Sequence, residues 1–494
     1  MKHIVSVAEM REFDRAAQRA GSPETELIWK AAGGLEEVCR PFDVLTAVCG
    51  PGNNGADGLA LILRRLRQGK QDLAVVLGEK LSPGLVRCLE QVEAEGGEVM
   101  RSLPESFRGE AVVDALFGVG LTRPPEGVFA EAVRKINAFP GAVIACDLPS
   151  GMDGDAGIPL GPCVRADLTV SMAAFKAGQM TESGRRLCGK LIAADAGIPT
   201  AGERLVWEEA DVAARFPSRD PFLHKGSAGT VTLIAGCNEY FGAALIAQTA
   251  AAALLEGAGL CRLAVPKSLL PTYQQRVTET VLFPLSEKEP GHLGFCPEEL
   301  EKLLSSRVLA VGMGLGDSDE VYAAVDFLLD RFRGPLLLDA DALNAVARRD
   351  RRRFERPHGP LCLTPHPGEF SRLTGRTGTD FSDGELLDYA ARNDLVLLLK
   401  GHTTRVTDGK RICYNLTGGP ALAKAGSGDA LSGFAAGLLT RADPFSALCA
   451  AAFLHGRCGE LAAREKGEYC VLASELPGFL PEAVQSLSGP ADRR

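Results

Sequence analysis

Two α/β domains in tandem, each a parallel sheet covered by helices, follow from three observations on this chain. At 494 residues it exceeds what one hydrophobic core usually supports. Short apolar runs alternate with helix-length segments, the rhythm of strand, helix and strand in parallel sheets. A charged, proline-containing stretch from Ile198 to Leu223, ending in Phe216-Pro217-Ser218-Arg219-Asp220-Pro221, separates two sets of such runs. The expected domains are therefore residues 1–215 and 222–494.

In the first domain the expected strands are Val44 to Cys49, Leu73 to Leu77, Ala111 to Val113, Ala142 to Cys146 and Leu168 to Met172. In the second they are Thr230 to Ala235, Leu260 to Val265, Val308 to Val311, Pro335 to Leu338, Leu361 to Thr364 and Leu395 to Leu399. Helices are expected over Leu59 to Arg67 and Ala430 to Leu439, each entered from a glycine-rich segment. No short repeat is visible, so the two halves are different domains.

Composition bounds the function. The hydrophobic fraction of 46% with 24% charged residues is that of a globular protein. A net charge of −9 argues against nucleic acid as a partner, since binding a phosphate backbone calls for a basic face. The run Arg348-Arg349-Asp350-Arg351-Arg352-Arg353 reads as a solvated helix end. No apolar run approaches the roughly 20 residues of a membrane span, and the segment after Met1 is charged and helix-like, unlike a signal peptide. A cytoplasmic protein with no membrane partner is expected. The 14 cysteines show no Cys-x-x-Cys pair or metal spacing, and Cys49, Cys146 and Cys362 fall in or at the end of apolar runs, which suits a reducing compartment.

The polar motifs fall at the carboxyl ends of the expected strands, where open parallel sheets bind ligands. Gly426-Ser427-Gly428-Asp429 runs directly into an apolar helical segment. Small residues let backbone N–H groups approach an anion, and the dipole of the following helix favours negative charge there. Asp429 beside that anion is a candidate general base; the competing reading is an ordinary helix N-cap. In the first domain, Gly50-Pro51-Gly52-Asn53-Asn54-Gly55-Ala56-Asp57-Gly58 is read as a loop presenting N–H groups, two carboxamides and a carboxylate to a polar ligand. Asp114 to Gly120 and Asp147 to Gly151 end two further strands. Each motif alone could be a turn; as an ordered set they describe one crevice.

That set, with the segment Ala166 to Lys176, resembles the YjeF N-terminal family of NAD(P)H-hydrate epimerases over most of residues 1 to about 200. The resemblance implies a Rossmann-like three-layer fold. It also implies contacts to the hydrated nicotinamide nucleotide from Asn53, Asn54, Gly55, Ala56 and Asp57, from Gly118, Val119, Gly120, Leu121, Thr122, Arg123 and Pro124, and from Asp147. Asn54, Asp114 and Ser150 would offer oxygens to K+, and Asp147 would be the acid/base carboxylate. Ala56 stands where the family usually has a second glycine, so its φ must be negative. Ile28 to Gly33 replaces a segment that commonly carries Glu-Asn before Ala-Gly.

From His224 to about Leu480 the chain resembles the ribokinase-like branch containing the NAD(P)H-hydrate dehydratases. The matches are His224-Lys225-Gly226, Gly312 to Gly316, Leu338-Asp339-Ala340-Asp341-Ala342-Leu343-Asn344, Thr364-Pro365-His366-Pro367-Gly368-Glu369-Phe370, Lys400 to Thr404 and the Gly426 to Asp429 segment. This resemblance implies hydrate contacts from Gly316, His366 and Asp429. The donor ADP would be held by Lys400, Gly401, His402, Thr403 and Thr404 and by Gly419, Ala425, Gly426, Ser427 and Gly428, with Mg2+. Gly419 stands where relatives often have Asn. Asp339 and Asp341 either orient Mg2+ waters or cap the next helix, and capping is the preferred reading.

The two resemblances together imply a nucleotide-repair enzyme acting on NADHX and NADPHX, in a homo-oligomer. The front domain would equilibrate the R and S hydrates and the rear would dehydrate the S form, converting ADP to AMP and phosphate. An ATP-using vitamin kinase carrying a non-catalytic front module shares Gly426 to Asp429, yet leaves Pro365 to Glu369 and the front motifs without a role.

Overall fold

The computed structural model describes residues 1–216, 229–255, 257–351, 354 and 359–487. His224 to Gly226, most of the 216–221 stretch, Arg352 and Arg353 lie outside the described residues. The chain forms two compact units, Lys2–Arg204 and Leu205 onward. The second unit begins ahead of residue 215 because Leu205, Trp207 and Val212 are buried in its core.

The first unit is built on seven parallel strands in the spatial order Glu98–Met100, Leu73–Val76, Leu45–Cys49, Ala111–Ala115, Ala142–Cys146, Leu168–Met172, Lys190–Ala194. The central strands Leu45–Cys49 and Ala111–Ala115 are buried on both faces, which is why they read as largely apolar, interrupted only by Thr46 and Asp114. From Leu45–Cys49 the chain adds strands outward on one side, then returns to Ala111–Ala115 on the other. That reversal opens a crevice at the carboxyl ends of these two strands. A short parallel pair, Lys2–Val5 with Phe175–Lys176, is additional. These two strands, with Glu98–Met100 and Lys190–Ala194, are too short or too half-exposed to stand out in the sequence.

One expectation is corrected here. The Gly50 to Gly58 segment is a loop only as far as Gly52, which caps in an extended conformation; the helix runs Asn53–Leu66. Asn53 to Asp57 are therefore first-turn residues. Ala56 sits in this helix, is fully buried and is absent from the positive-φ residues, so its Cβ costs nothing there. The far end of the helix is pinned by Arg65, whose buried guanidinium pairs with Asp72 at 2.6 Å and donates to the Cys39 carbonyl at 2.9 Å.

The second unit carries the strand order Thr280–Leu285, Leu260–Pro266, Thr230–Ile234, Val308–Val311, Leu336–Leu338, Leu361–Leu363, Val396–Leu399, then antiparallel Thr404–Thr407 and Ile412–Asn415, with Arg204–Val206 beyond. The reversal falls between Thr230–Ile234 and Val308–Val311. The helix after the glycine motif is Ser427–Leu438, and Gly433 and Gly437 lie directly against backbone carbonyls of Ala247 and Leu254 at the neighbouring helix Phe241–Ala253. Among the described residues no helix is long and apolar enough to cross a membrane.

Candidate active sites in the two units

In the first unit a cavity of about 540 Å3 occupies the crevice at the strand reversal. It is lined by Asn53, Asn54, Asp57, Gly118, Val119, Gly120, Leu121, Thr122, Arg123 and Asp147 among others. Three expected contacts do not line it. Gly55 and Ala56 face inward from the helix and are buried, and Pro124 is exposed beside Gly161. Residues that the sequence reading passed over do line it, including Arg11, Asp14, Glu24 and Lys176.

Asp147 is held in the left-handed region at φ 66°, unusual for a residue with a Cβ. Its Oδ1 accepts from the Met172 N–H at 3.1 Å and pairs with the fully buried Lys176 ammonium, which also donates to the Met172 and Ala174 carbonyls at 3.1 and 3.0 Å. Oδ2 is turned the other way, about 3.0 Å from where a Cβ on Gly118 would lie, with the Asn54 Oδ1 3.1 Å from the same point. Gly118 thus keeps this corner open. Burial, then the charge of Asp147, pushes the Asp57 carboxyl well above the usual carboxylate range. The cavity therefore presents one carboxyl whose burial favours the protonated form and one anchored on an ammonium. Lys176 had a sequence signal: a single cationic residue closing the apolar run Met172 to Phe175, since lysine is almost never buried unless paired.

Asp114 and Ser150 come together, fully buried. The Ser150 hydroxyl donates to Asp114 Oδ1 at 2.7 Å, its N–H donates to Oδ2 at 2.8 Å, and the Phe117 carbonyl is 3.2 Å from its Oγ. Burial lifts the Asp114 carboxyl to about 6, and among the described residues no cationic side chain pairs with it. Asn54 makes no hydrogen bond to either, and its buried Nδ2 has no partner among the described residues. Neither Asp114 nor Ser150 lines the cavity; their carboxylate and hydroxyl oxygens, with the Phe117 carbonyl and no cationic partner among the described residues, are oxygen donors of the kind a hard cation takes.

In the second unit, Gly426 caps the helix at φ 90°, and Ser427, Gly428 and Asp429 form its first turn. Asp429 is consequently not the N-cap. Among the described residues the N–H groups of Ala425, Gly426 and Gly428 have no acceptor, whereas that of Ser427 is turned back to the Lys424 carbonyl at 3.3 Å. Lys400, at the end of Val396–Leu399, reaches this turn: its Nζ lies 3.4 Å from a Cβ position on Gly428, 2.8 Å from Asp339 Oδ1 and 3.8 Å from Glu369 Oε2. Burial works to lower the Lys400 pKa, but Asp339 and Glu369 outweigh it and the ammonium is held above its ordinary value. Burial, then the charge of Asp339, lifts the Asp429 carboxyl to about 7.

Asp339 corrects the capping reading. It stands at the N-cap position of Ala340–Arg349 yet makes no side-chain cap bond; its second oxygen accepts from Ser432 Oγ at 2.7 Å, so it acts as the brace between Lys400 and the glycine-motif helix. Asp341 Oδ2 instead holds the Gly316 N–H at 2.8 Å. His366 is the N-cap of Pro367–Thr374: Nδ1 accepts from the Gly368 and Glu369 N–H groups at 3.0 and 3.3 Å, and Glu369 returns a bond to the His366 N–H. That leaves the proton on Nε2, which lies 3.5 Å from Glu369 Oε1 in a half-exposed ring. Gly401, His402, Thr403 and Thr404 form the accessible connection into Thr404–Thr407, and Gly419 is exposed just ahead of the turn Pro420–Leu422. Of that group only Lys400 is brought against Gly428. Ser427 Oγ meets the buried His455 Nε2 at 3.1 Å; burial drops that imidazole to about 4.

Two nucleotide-handling α/β enzymes joined in one chain is the class that fold and sites define. Residues 231–481, just over half the chain, match the family described as NAD(P)H-hydrate dehydratase, and residues 15–178 match the YjeF-related protein N-terminus. Curated relatives named bifunctional NAD(P)H-hydrate repair enzyme are similar along their whole length. The one from Moorella thermoacetica is 36% identical over 98% of this chain and 97% of its own; that from Thermofilum pendens is 36% identical over 98% and 96%. A ribokinase-like superfamily protein from Enterococcus faecalis has a TM-score of 0.51 at 22% identity, covering 59% of this chain and 99% of its own, which shows the fold of the second unit. The chain belongs to the family of bifunctional NAD(P)H-hydrate repair enzymes.

Proposed function

We propose that the rear unit dehydrates the S hydrate of NADH or NADPH at the expense of ADP, and that the front unit interconverts the R and S hydrates. The observation carrying this is the pairing of a lifted carboxyl, Asp429, with the free N–H groups of Ala425, Gly426 and Gly428 beside a buried ammonium. A hydroxyl on the hydrated ring is a poor leaving group until phosphorylated. Asp429, ionised at neutral pH and above, takes its proton as the oxygen attacks the terminal phosphorus of ADP and the bond to AMP breaks. The N–H groups and Lys400 stabilise the charge on the transferred phosphoryl group. The carbon–oxygen bond then breaks, a proton leaves the adjacent ring carbon, and NADH or NADPH, AMP and phosphate result. The Asp429, Asp341 and Glu369 carboxyls can accept from the water shell of a Mg2+ ion carried in on the phosphates of ADP. Asp341 positions the Gly316 backbone, and the half-exposed His366 ring, its proton on Nε2 beside Glu369, is the donor toward the hydrate.

In the front unit Asp57, whose burial raises its carboxyl and so favours the acid form, donates to the departing hydroxyl of the hemiaminal carbon while the ring nitrogen supplies the electron pair. Asp147, braced on Lys176, takes a proton from the water that adds to the opposite face. K+ at Asp114, Ser150 and Asn54 would neutralise a buried carboxylate beside the Gly118 loop. The test supplies separated R and S hydrates of NADH with ADP. Asp429→Asn is expected to abolish recovery of the reduced ring and leave interconversion intact, and Asp147→Asn to do the reverse. Full dehydration by Asp429→Asn removes that residue from the mechanism.

A further inference from the structure

The strand reversal of the second unit holds a second cluster, one that neither half-reaction uses. Cys237 follows the strand Thr230–Ile234, and its buried Sγ lies 3.3 Å from Glu239 Oε2. His292, on the hairpin strand His292–Leu293, places Nε2 3.0 Å from the same oxygen. All three donor atoms lie within 4.8 Å of one another. The two segments are clamped by the Asn238 N–H donating to the Gly291 carbonyl at 3.0 Å, with Gly291 at φ 80° and packed against the Asn238 side chain.

The ring of His292 gives the cluster its direction. Its other nitrogen, Nδ1, faces the Pro290 carbonyl at 3.3 Å. Both ring nitrogens thus meet an acceptor, while a neutral imidazole has one N–H to give. With the proton on Nδ1 toward the carbonyl, Nε2 turns a lone pair on a carboxylate oxygen; a second proton or a metal cation between them resolves this, and Cys237 Sγ, 3.3 Å from the same oxygen, is the further donor that a metal takes. An imidazole whose second nitrogen donates to a backbone carbonyl is the usual second shell of a metal-ligating histidine. Thiolate, imidazole and one carboxylate oxygen are the ligand set of a borderline-soft divalent ion, and three protein ligands leave a fourth position open. Glu239 and His292 are solvent-accessible, so an ion can enter, and Cys237 forms the floor.

We propose that Cys237, Glu239 and His292 form a binding site for a divalent cation of the Zn2+ class at the strand reversal of the second unit. The site borders the dehydratase pocket: a Cβ on Gly316 would lie 3.8 Å from Cys237 Sγ. On the proposed role of Gly316, occupancy changes the KM for the hydrate and leaves epimerisation unchanged.

The test titrates the full-length protein with Co2+, which reports thiolate ligation through a near-ultraviolet charge-transfer band. The expected result is an equimolar band that Zn2+ displaces, lost in Cys237→Ser and shifted to roughly 10- to 100-fold weaker affinity in His292→Gln and Glu239→Gln, with wild-type circular dichroism in all three. No band in the wild type, or an undiminished band in Cys237→Ser, overturns the site. The readout is metal binding, so its failure is separate from any failure of the repair reaction. A bound ion with an unchanged hydrate KM overturns the link to Gly316 alone.

Discussion

Asp429 and Asp147 are both carboxylates at strand-end motifs, and their surroundings give them opposite electrostatic histories. Asp147 sits against Lys176, while Asp429 is desolvated among Asp339, Asp341 and Glu369 with Lys400 only partly compensating. Dehydration should therefore rise with pH through about 7, as Asp429 ionises, and level off above it; a pH–rate profile on the S hydrate checks this. The sign for stability is the reverse. A carboxyl whose folded pKa exceeds its unfolded value contributes fully below about pH 4 and loses that contribution as pH rises through about 7. Asp429→Asn should consequently be more stable than wild type at pH 8, by on the order of 1–2 kcal/mol after solvent screening, and equal to it near pH 4. Thermal unfolding at the two pH values measures the difference. Asp57→Asn, lacking the retained proton, should lower the epimerisation kcat by about 10²-fold with little change in KM.

At the scale of elements, one glycine carries the phosphate-binding turn of the second unit. Gly426 holds φ 90°, and a Cβ there would also fall 2.7 Å from Ile246 Cδ1. Gly426→Ala should cost about 1–2 kcal/mol of stability from the backbone alone and raise the KM for ADP, measurable by denaturant unfolding and initial rates. The strands that build both crevices are legible because a doubly covered parallel strand reads as a continuous apolar run: Ala142–Cys146 and Val308–Val311 match their sequence readings end to end. Glu98–Met100 carries no such run, and in Thr280–Leu285 the apolar residues are broken by Pro284, which reads against a strand. The helix starts were misplaced because Gly, Asn and Asp read as loop, while Gly52 and Gly426 are caps and the polar residues after them form the first turn. The Asp339–Ser432 contact joins residues 93 apart in sequence, and only folding reveals it.

At the scale of the whole molecule, the proposed reading assigns each half of the repair to groups within one unit. An equimolar mixture of Asp147→Asn and Asp429→Asn proteins should therefore convert the R hydrate fully to NADH, whereas neither variant does so alone. The fusion of an epimerase with a stereospecific dehydratase follows chemically, because hydrates form as a mixture and a one-epimer enzyme strands the other.

The most direct measurement supplies the pure R hydrate with ADP to the intact protein and follows recovery of the reduced-ring absorbance. Complete recovery with one AMP formed per NADH, preceded by a lag as the S form accumulates and abolished in Asp429→Asn, is the predicted result. Recovery without ADP, or a stable phosphorylated product in place of NADH, would contradict it.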